Sequence, residues 1–390
     1  MKKQNKIYKI CFITNSRSEY GLMKWLMDDF KSHNSFKILI FVGGPHLVKN
    51  FGYTYKEILK DGFRITKFCN KKIEKISNKS DWAETLCELT VNYLNGLKKH
   101  QPDCIFFMGD RIENMALLSA SSLLNIPLAH ISGGEITEGA VDDQIRHAST
   151  KMSHMHFVAN KEYYNRVTQL GEEKWRICIS GEPGLDSFKR VKLYTVDELS
   201  KSVGLNLNET TALVTFHSVT MELSKLSYYL EELIKAIDKI NIQYLVTYPS
   251  PDPGSAQIIK TFEDYSKYKK NMVFVKSLGQ TKYLSALYHC KLMLGNSSSG
   301  LVESAIPNIP VVNIGNRQKG RVKGENVFDV SYNHKDIIRG INKSLLYDRS
   351  KKCKSLYGNG NASNKIIKFT LKTLDNFNNE KILTKKFIDK

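Results

Sequence analysis

Short apolar runs alternate with amphipathic stretches along the whole chain. Apolar runs bounded by polar or glycine-containing turns read as buried strands, and apolar residues recurring every three to four positions read as helices. In the first half the pattern predicts strands over 7–14 (IYKICFIT), 37–43 (KILIFVG), 104–108 (CIFFM), 127–131 (PLAHI) and 155–159 (MHFVA). Helices are predicted between them at about 19–32, 81–99, 112–124 and 161–170. After a charged connector near 186–210 a second series begins, with strands over 211–216, 243–248, 272–276, 291–294 and 310–314. Its helices fall at about 221–239, 254–268, 280–290, 300–306 and 333–347. Strand alternating with helix is the pattern of parallel sheets, and 390 residues exceed one ordinary core. The expected fold class is therefore α/β, with two Rossmann-like domains facing each other across a cleft. The expected divisions are 1–190, 205–362, and a C-terminal helix and tail over 363–390 that pack back on the first domain.

Composition narrows this picture. No apolar run approaches the ~20 residues of a membrane span. The early KICFIT stretch is too short for a signal peptide and runs into a charged loop, so it reads as the first strand of a cytoplasmic protein. The seven cysteines are scattered without a CxxC pair, so zinc, redox motifs and disulfides are not expected. The formal charge of +19 comes from lysines spread along the chain, with no basic stripe interleaved with aromatics. That distribution reads as a solvated surface, compatible with a phosphorylated small molecule and not with nucleic-acid or membrane binding.

Candidate chemistry sits where strands end, the place where ligands bind in such sheets. In LMLGNSSSGLVESA (292–305) a strand runs into Ser297, Ser298 and Ser299, and Gly300 opens an expected helix whose N-terminus suits a diphosphate. Glu303, one turn in, is placed to accept from ribose hydroxyls; the plainer reading is a serine cap and a first-turn acid. Downstream, NIGNRQKGR (313–321) adds Arg317, Lys319 and Arg321 for phosphate. The first loop, TNSRSEYG (14–21), lacks GxGxxG, so NAD and FAD are not expected. It offers Arg17, either to the cleft or as a surface partner of Glu19.

The densest stretch is MGDRIEN (108–114) with AHISGGEITEGAVDDQIRHASTKMSH (129–154). Asp110 and Arg111 follow one strand; Ser132, Gly133, Gly134 and Glu135 follow the next. Asp142 and Asp143 start a helix that carries Arg146 and His147 one turn later. Neighbouring carboxylates push each other's proton affinities apart, so one accepts a proton while another donates one. The alternative is a structural ion-pair network with Arg111 and Arg146. His217, in VTFHSVT, ends the first strand of the second series and is expected to point across the cleft.

Taken together, SRSEYG, GDR, HISGGE, DDQIRHASTKMSH, GNSSSGLVES, NIGNRQKGR and YGNGNAS resemble, nearly end to end, the hydrolysing UDP-N-acetylglucosamine 2-epimerases of sialic-acid and related nonulosonate biosynthesis. The resemblance implies a reaction without metal or redox cofactor: C2 loses its proton, the nucleoside diphosphate leaves C1, and water adds to the glycal-like intermediate. By motif, Asp110 and Asp142 correspond to the catalytic acids and His217 to the cleft histidine. Arg17, Ser297, Ser298, Glu303 and Arg317 correspond to nucleotide contacts. Many members have a glutamate where this chain has Ser132, which leaves Glu135 or a group such as His147 to supply the missing acid, or a mechanism that tolerates its loss. Ser250 likewise stands where relatives often have asparagine.

The first expectation is conversion of UDP-N-acetylglucosamine to N-acetylmannosamine and UDP. Its rival is the same chemistry on a UDP- or GDP-linked 2,4-diacetamido-2,4,6-trideoxy sugar, for legionaminic-acid-type synthesis. A GT-B glycosyltransferase and a non-catalytic nucleotide-sugar sensor are the other classes in view. A homodimer or homotetramer is the expected assembly, and the residue pattern selects neither.

Overall fold

The two apolar series fold as two all-parallel sheets. The computed structural model describes residues 6–49, 52–69, 79–137, 141–250, 252–351, 353–386 and 388. Two compact units emerge: the first comprises the chain up to Glu135, Val141–Ser187 and the chain from Tyr357 onward, and the second is built on Phe188–Leu356.

The first unit's strands are β1 (Tyr8–Thr14), β2 (Phe36–Val42), β3 (Lys67–Phe68), β4 (Cys104–Met108), β5 (Leu128–Ile131), β6 (Met155–Val158) and β7 (Ile177–Ile179). They lie in the order β3-β2-β1-β4-β5-β6-β7. Because a parallel sheet carries helices on both faces, its strands are buried on both sides. Alternate residues therefore feed separate cores. Ile10, Phe12, Cys104 and Phe106 join one cluster, while Cys11, Ile13, Ile105 and Phe107 join the other.

The second unit repeats the plan with β8 (Thr211–Thr215), β9 (Gln243–Thr247), β10 (Met272–Val275), β11 (Leu292–Gly295), β12 (Val311–Ile314) and β13 (Val327–Val330). Their order is β10-β9-β8-β11-β12-β13. Both sheets thus share one winding. The direction of winding reverses between β1 and β4 and again between β8 and β11, and such switch points are where open α/β sheets place their ligands.

Strands β3, β7 and β13 were not in the sequence pattern, because each is short and only partly buried, at two, three and four residues. The predicted connector near 186–210 contains a helix, Val196–Val203, with its own capping box from Thr195 and Glu198. The predicted helix 221–239 divides into a 3₁₀ segment, Thr220–Lys225, and a helix, Leu226–Lys239.

The final helix, Ala362–Asn376, lies on the first unit's core through Ala362, Ile366, Ile367 and Leu374. The Asp186 carboxylate accepts its first free amides, Ala362 N–H and Ser363 N–H, both at 2.8 Å. Beyond it, the fully buried Arg176 donates to the carbonyls of Ile382 and Thr384 at 2.6 and 2.8 Å. The tail is thereby held to the first unit as far as Thr384. Among the described residues no helix is long and apolar enough to cross a membrane.

Candidate functional site

In the first unit the chemistry gathers on the carboxyl edge beside the β1/β4 switch. Gly109 N–H donates to Ile131 O at 3.0 Å, which holds the loop after β4 against the end of β5. Beneath it lies His130, which sequence reasoning passed over. Its Nε2 is 2.8 Å from Gly109 O and its Nδ1 is 3.2 Å from Thr150 Oγ1. Burial pushes this imidazole down to about 3, so the ring is neutral, and a carbonyl partner requires the proton on Nε2. His130 therefore fixes the turn from which Asp110 projects.

Asp110 pairs with Arg146, whose other terminal nitrogen lies 3.4 Å from Glu135 Oε2. The Arg146 side chain is only 3% exposed and Glu135 6%, whereas Asp110 keeps 23%. One guanidinium thus gathers two carboxylates from different strand ends, with Asp110 the more open to solvent. Gly134 makes the approach of Glu135 feasible: its φ is +78°, and a Cβ there would meet Tyr163 O at 2.6 Å.

The other expected residues distribute as follows. Asp142 lies exposed in the first turn of Val141–Met152, one turn before Arg146 on the same face. Asp143 pairs with His147 at 3.5 Å along that helix. Arg111 turns to the fully buried Glu113, at 2.9 Å. Arg17 meets Glu57 at 3.1 Å, not Glu19. Glu19 folds inward instead, accepting from Asn15 N–H and Ser16 N–H at 2.7 and 3.0 Å in a capping box. Its burial, opposed by the Arg111 charge, raises it to about 7. The S-x-x-E spacing in SRSEYG was the available signal for this cap.

Ser132 has the unusual φ of +64°. Its hydroxyl donates to Glu182 Oε2 at 2.8 Å. Glu182 follows β7 and was missed, since a three-residue strand leaves almost no apolar run to announce it.

In the second unit the carboxyl edge beside the β8/β11 switch is organised by Asn296, also missed. Its side chain accepts from His217 N–H at 2.7 Å and donates to His217 O at 2.8 Å. Its backbone oxygen accepts from Arg317 Nη1 at 3.1 Å and Gln318 Nε2 at 2.9 Å. Loops after β8, β11 and β12 are thus tied at one residue. Ser250 N–H donates to His217 Nδ1 at 3.0 Å, which leaves the ring proton on Nε2. Burial, then the Arg317 charge, holds this ring well below its ordinary value, so His217 is a neutral hydrogen-bond donor.

The serine loop needs correction. The expected helix 300–306 is a single turn, Ser299–Val302, too short for a substantial dipole. Gly300 is buried, and a Cβ there would strike Val311 Cγ1 at 2.8 Å, so its smallness serves packing on β12. Ser299 Oγ accepts from Tyr283 O–H at 2.8 Å, and Ser297 Oγ accepts from Ser299 N–H at 3.3 Å. Ser298 is half-buried at the start of the turn. Glu303 is half-buried, its carboxyl raised by burial against an opposing bond from Ser299. Arg321 is half-buried and Lys319 exposed on the loop after β12. Hydroxyls and cations, not a helix end, are what this edge offers an anion.

Residues 28–371 match the family model described as UDP-N-acetylglucosamine 2-epimerase. The chain belongs to the UDP-N-acetylglucosamine 2-epimerase family. It is 34% identical over 387 residues to the GDP/UDP-N,N'-diacetylbacillosamine 2-epimerase (hydrolyzing) of Campylobacter jejuni, covering 98% of this chain and 99% of that protein. It is 31% identical to the UDP-N,N'-diacetylbacillosamine 2-epimerase (hydrolyzing) of Legionella pneumophila, covering 94% and 96%. A Neisseria meningitidis UDP-GlcNAc 2-epimerase solved with UDP-GlcNAc shares the fold, with a TM-score of 0.78 at 17% identity over 94% of this chain and all of that one. The α/β two-domain class read from the sequence is the family's fold. Among the described residues no group of three or more His, Cys, Asp or Glu gathers as metal ligands would.

Proposed function

We propose that this member of the epimerase family is a hydrolysing 2-epimerase that acts on UDP-N,N'-diacetylbacillosamine, releasing UDP and the free manno-configured 2,4-diacetamido sugar. The observation that carries the reaction is the Asp110–Arg146–Glu135 group, which presents two carboxylates at one sheet edge. Removing a proton from C2 and returning one to the opposite face requires two acid–base groups on different sides of the ring. Asp110 and Glu135, which leave separate strand ends, are the pair assigned to that work; Asp142, one turn ahead of Arg146, is the further carboxylate on that helix face.

The departing diphosphate needs donors that strengthen as charge develops on it. His217, neutral with its proton on Nε2, is suited to donating there, as are Arg317, Arg321 and the serine hydroxyls. An uncharged donor takes no proton from the leaving group and needs none supplied. The choice of sugar rests on the two full-length relatives that carry the diacetylbacillosamine name.

Proton NMR of the purified chain in D₂O tests this. UDP-diacetylbacillosamine, its GDP counterpart and UDP-N-acetylglucosamine are offered separately. The expected result is release of the free manno sugar with deuterium at C2 from the first. Preferred turnover of UDP-N-acetylglucosamine would overturn the sugar assignment, and three intact nucleotide sugars would overturn the reaction.

A further inference from the structure

We infer that Ser132 and Glu182 form a proton relay serving the water that adds at C1, an inference that rests on the hydrolysing reaction proposed above. A serine hydroxyl does not ionise near neutrality, yet it passes a proton when a base stands directly behind it. Ser132 has that base: its hydroxyl donates to Glu182 Oε2 at 2.8 Å, with Ser132 9% and Glu182 5% exposed.

The geometry is held from both sides. Ser132 N–H bonds Phe157 O at 2.9 Å, and the φ of +64° turns the residue out of the strand direction. Such a conformation is costly for a residue with a Cβ and persists only where its surroundings impose it. Glu182 reaches Ser132 across the end of β6, since Ser180 N–H and Gly181 N–H both bond Val158 O, at 3.0 and 3.3 Å. Glu182 N–H is fixed on Tyr357 O at 2.7 Å. Tyr357 is itself buried, its hydroxyl 2.9 Å from that of Tyr163. The pair therefore sits on the same edge as Asp110, whose strand end is bonded to Ile131, the residue before Ser132.

The chemistry distinguishes this pair from the carboxylates around Arg146. Proton transfer between oxygens along a hydrogen bond is fast, whereas taking a proton from carbon demands direct contact with a base. A hydroxyl relay therefore suits water and not C2. As the water oxygen bonds to C1, one water O–H bond breaks and its proton goes to Ser132 Oγ. The Ser132 hydroxyl proton passes to Glu182 Oε2. A separate carboxylic acid gives C2 its proton, and Glu182 later releases its own to solvent. Glu182, acting through Ser132, is a positioning and proton-accepting partner; Ser132 is the group that meets the water.

The test compares wild type with Ser132→Ala, Glu182→Gln and the double variant, on whichever nucleotide sugar the wild type converts. Each single variant is expected to lose about 10²-fold in kcat with KM within about threefold, the size of one acid–base contribution. The double variant is expected to be no slower than the slower single, since the two act as one unit. Because elimination precedes hydration, NMR is expected to show a glycal accumulating in all three. Ser132→Ala removes one oxygen and carries the test alone should Glu182→Gln not fold. Retention of kcat within threefold, multiplicative losses in the double variant, or slowed turnover without glycal would each overturn the relay. A wild-type chain inert toward every nucleotide sugar would instead refute the reaction itself.

Discussion

Replacing Arg146 by alanine is the sharpest test of the first unit's edge. Arg146 is 3% exposed and shared by Asp110 and Glu135. At an effective dielectric constant of about 20, a unit pair at the 3.4 Å of the Glu135 contact attracts by roughly 5 kcal/mol before desolvation is subtracted. Deleting one partner of a buried pair costs about 3–5 kcal/mol, because the remaining charge keeps its desolvation penalty and loses its compensation. At about 2–4 °C per kcal/mol for a unit of this size, the first unit should melt about 6–20 °C lower. A two-unit chain need not unfold in one step, so calorimetry, which resolves separate transitions, is the assay. Arg146→Ala combined with Glu135→Gln should recover part of the loss, since the stranded charge goes with it. A single variant that melts within about 2 °C of wild type, or a double variant less stable than the single, would refute ion pairing as what holds these carboxylates.

Four other outcomes are expected. Glu19 is raised to about 7 in the fold against an ordinary 4.5, so the folded state holds its proton more tightly and stability falls as pH rises from about 4.5 through 7. The difference is about 3 kcal/mol, and Glu19→Gln should flatten that part of the melting-temperature profile. His217→Asn should lower kcat without moving the pH profile between 5 and 8, because this ring stays neutral there; a shifted limb would show that it titrates. Asn296→Ala strips His217 N–H and C=O of their buried partners, at about 1–3 kcal/mol, and should weaken UDP binding in calorimetric titration. Arg317→Ala should weaken UDP about 10- to 100-fold, the worth of a charge-assisted bond, while leaving the first unit's melting unchanged.

What the sequence made legible follows from how each feature is encoded. Long strands such as β1 and β4 announce themselves because burial on both faces demands a continuous apolar run. Strands β3, β7 and β13 do not, since a short, half-buried edge strand needs few apolar residues. Asp110 and Glu135 were legible because charged residues beside strand ends are conspicuous by type, and Arg146 because it lies one helical turn after an acid. The residues that brace the strand-end loops were not. His130, Asn296 and Glu182 act through partners 20 or more positions away in sequence, and no local spacing records such a bond. The packing role of Gly300 is hidden for a related reason: nothing beside it in sequence records that Val311 lies against it.

Ser132 shows why position and chemistry separate in this fold. The sheet order delivers strand ends β4, β5 and β7 to one edge whatever residues they carry, so a carboxylate can reach a given point from more than one strand. Read alone, a serine at 132 signals a lost acid. Set against Glu182 at 2.8 Å, it is the near end of a two-residue group whose carboxylate arrives from the loop after β7. A substitution at one strand end therefore does not subtract a function unless the neighbouring ends are also accounted for. That accounting requires the sheet's order: here β6 lies between the two loops, and Val158 O, at its end, is the point over which Glu182 crosses.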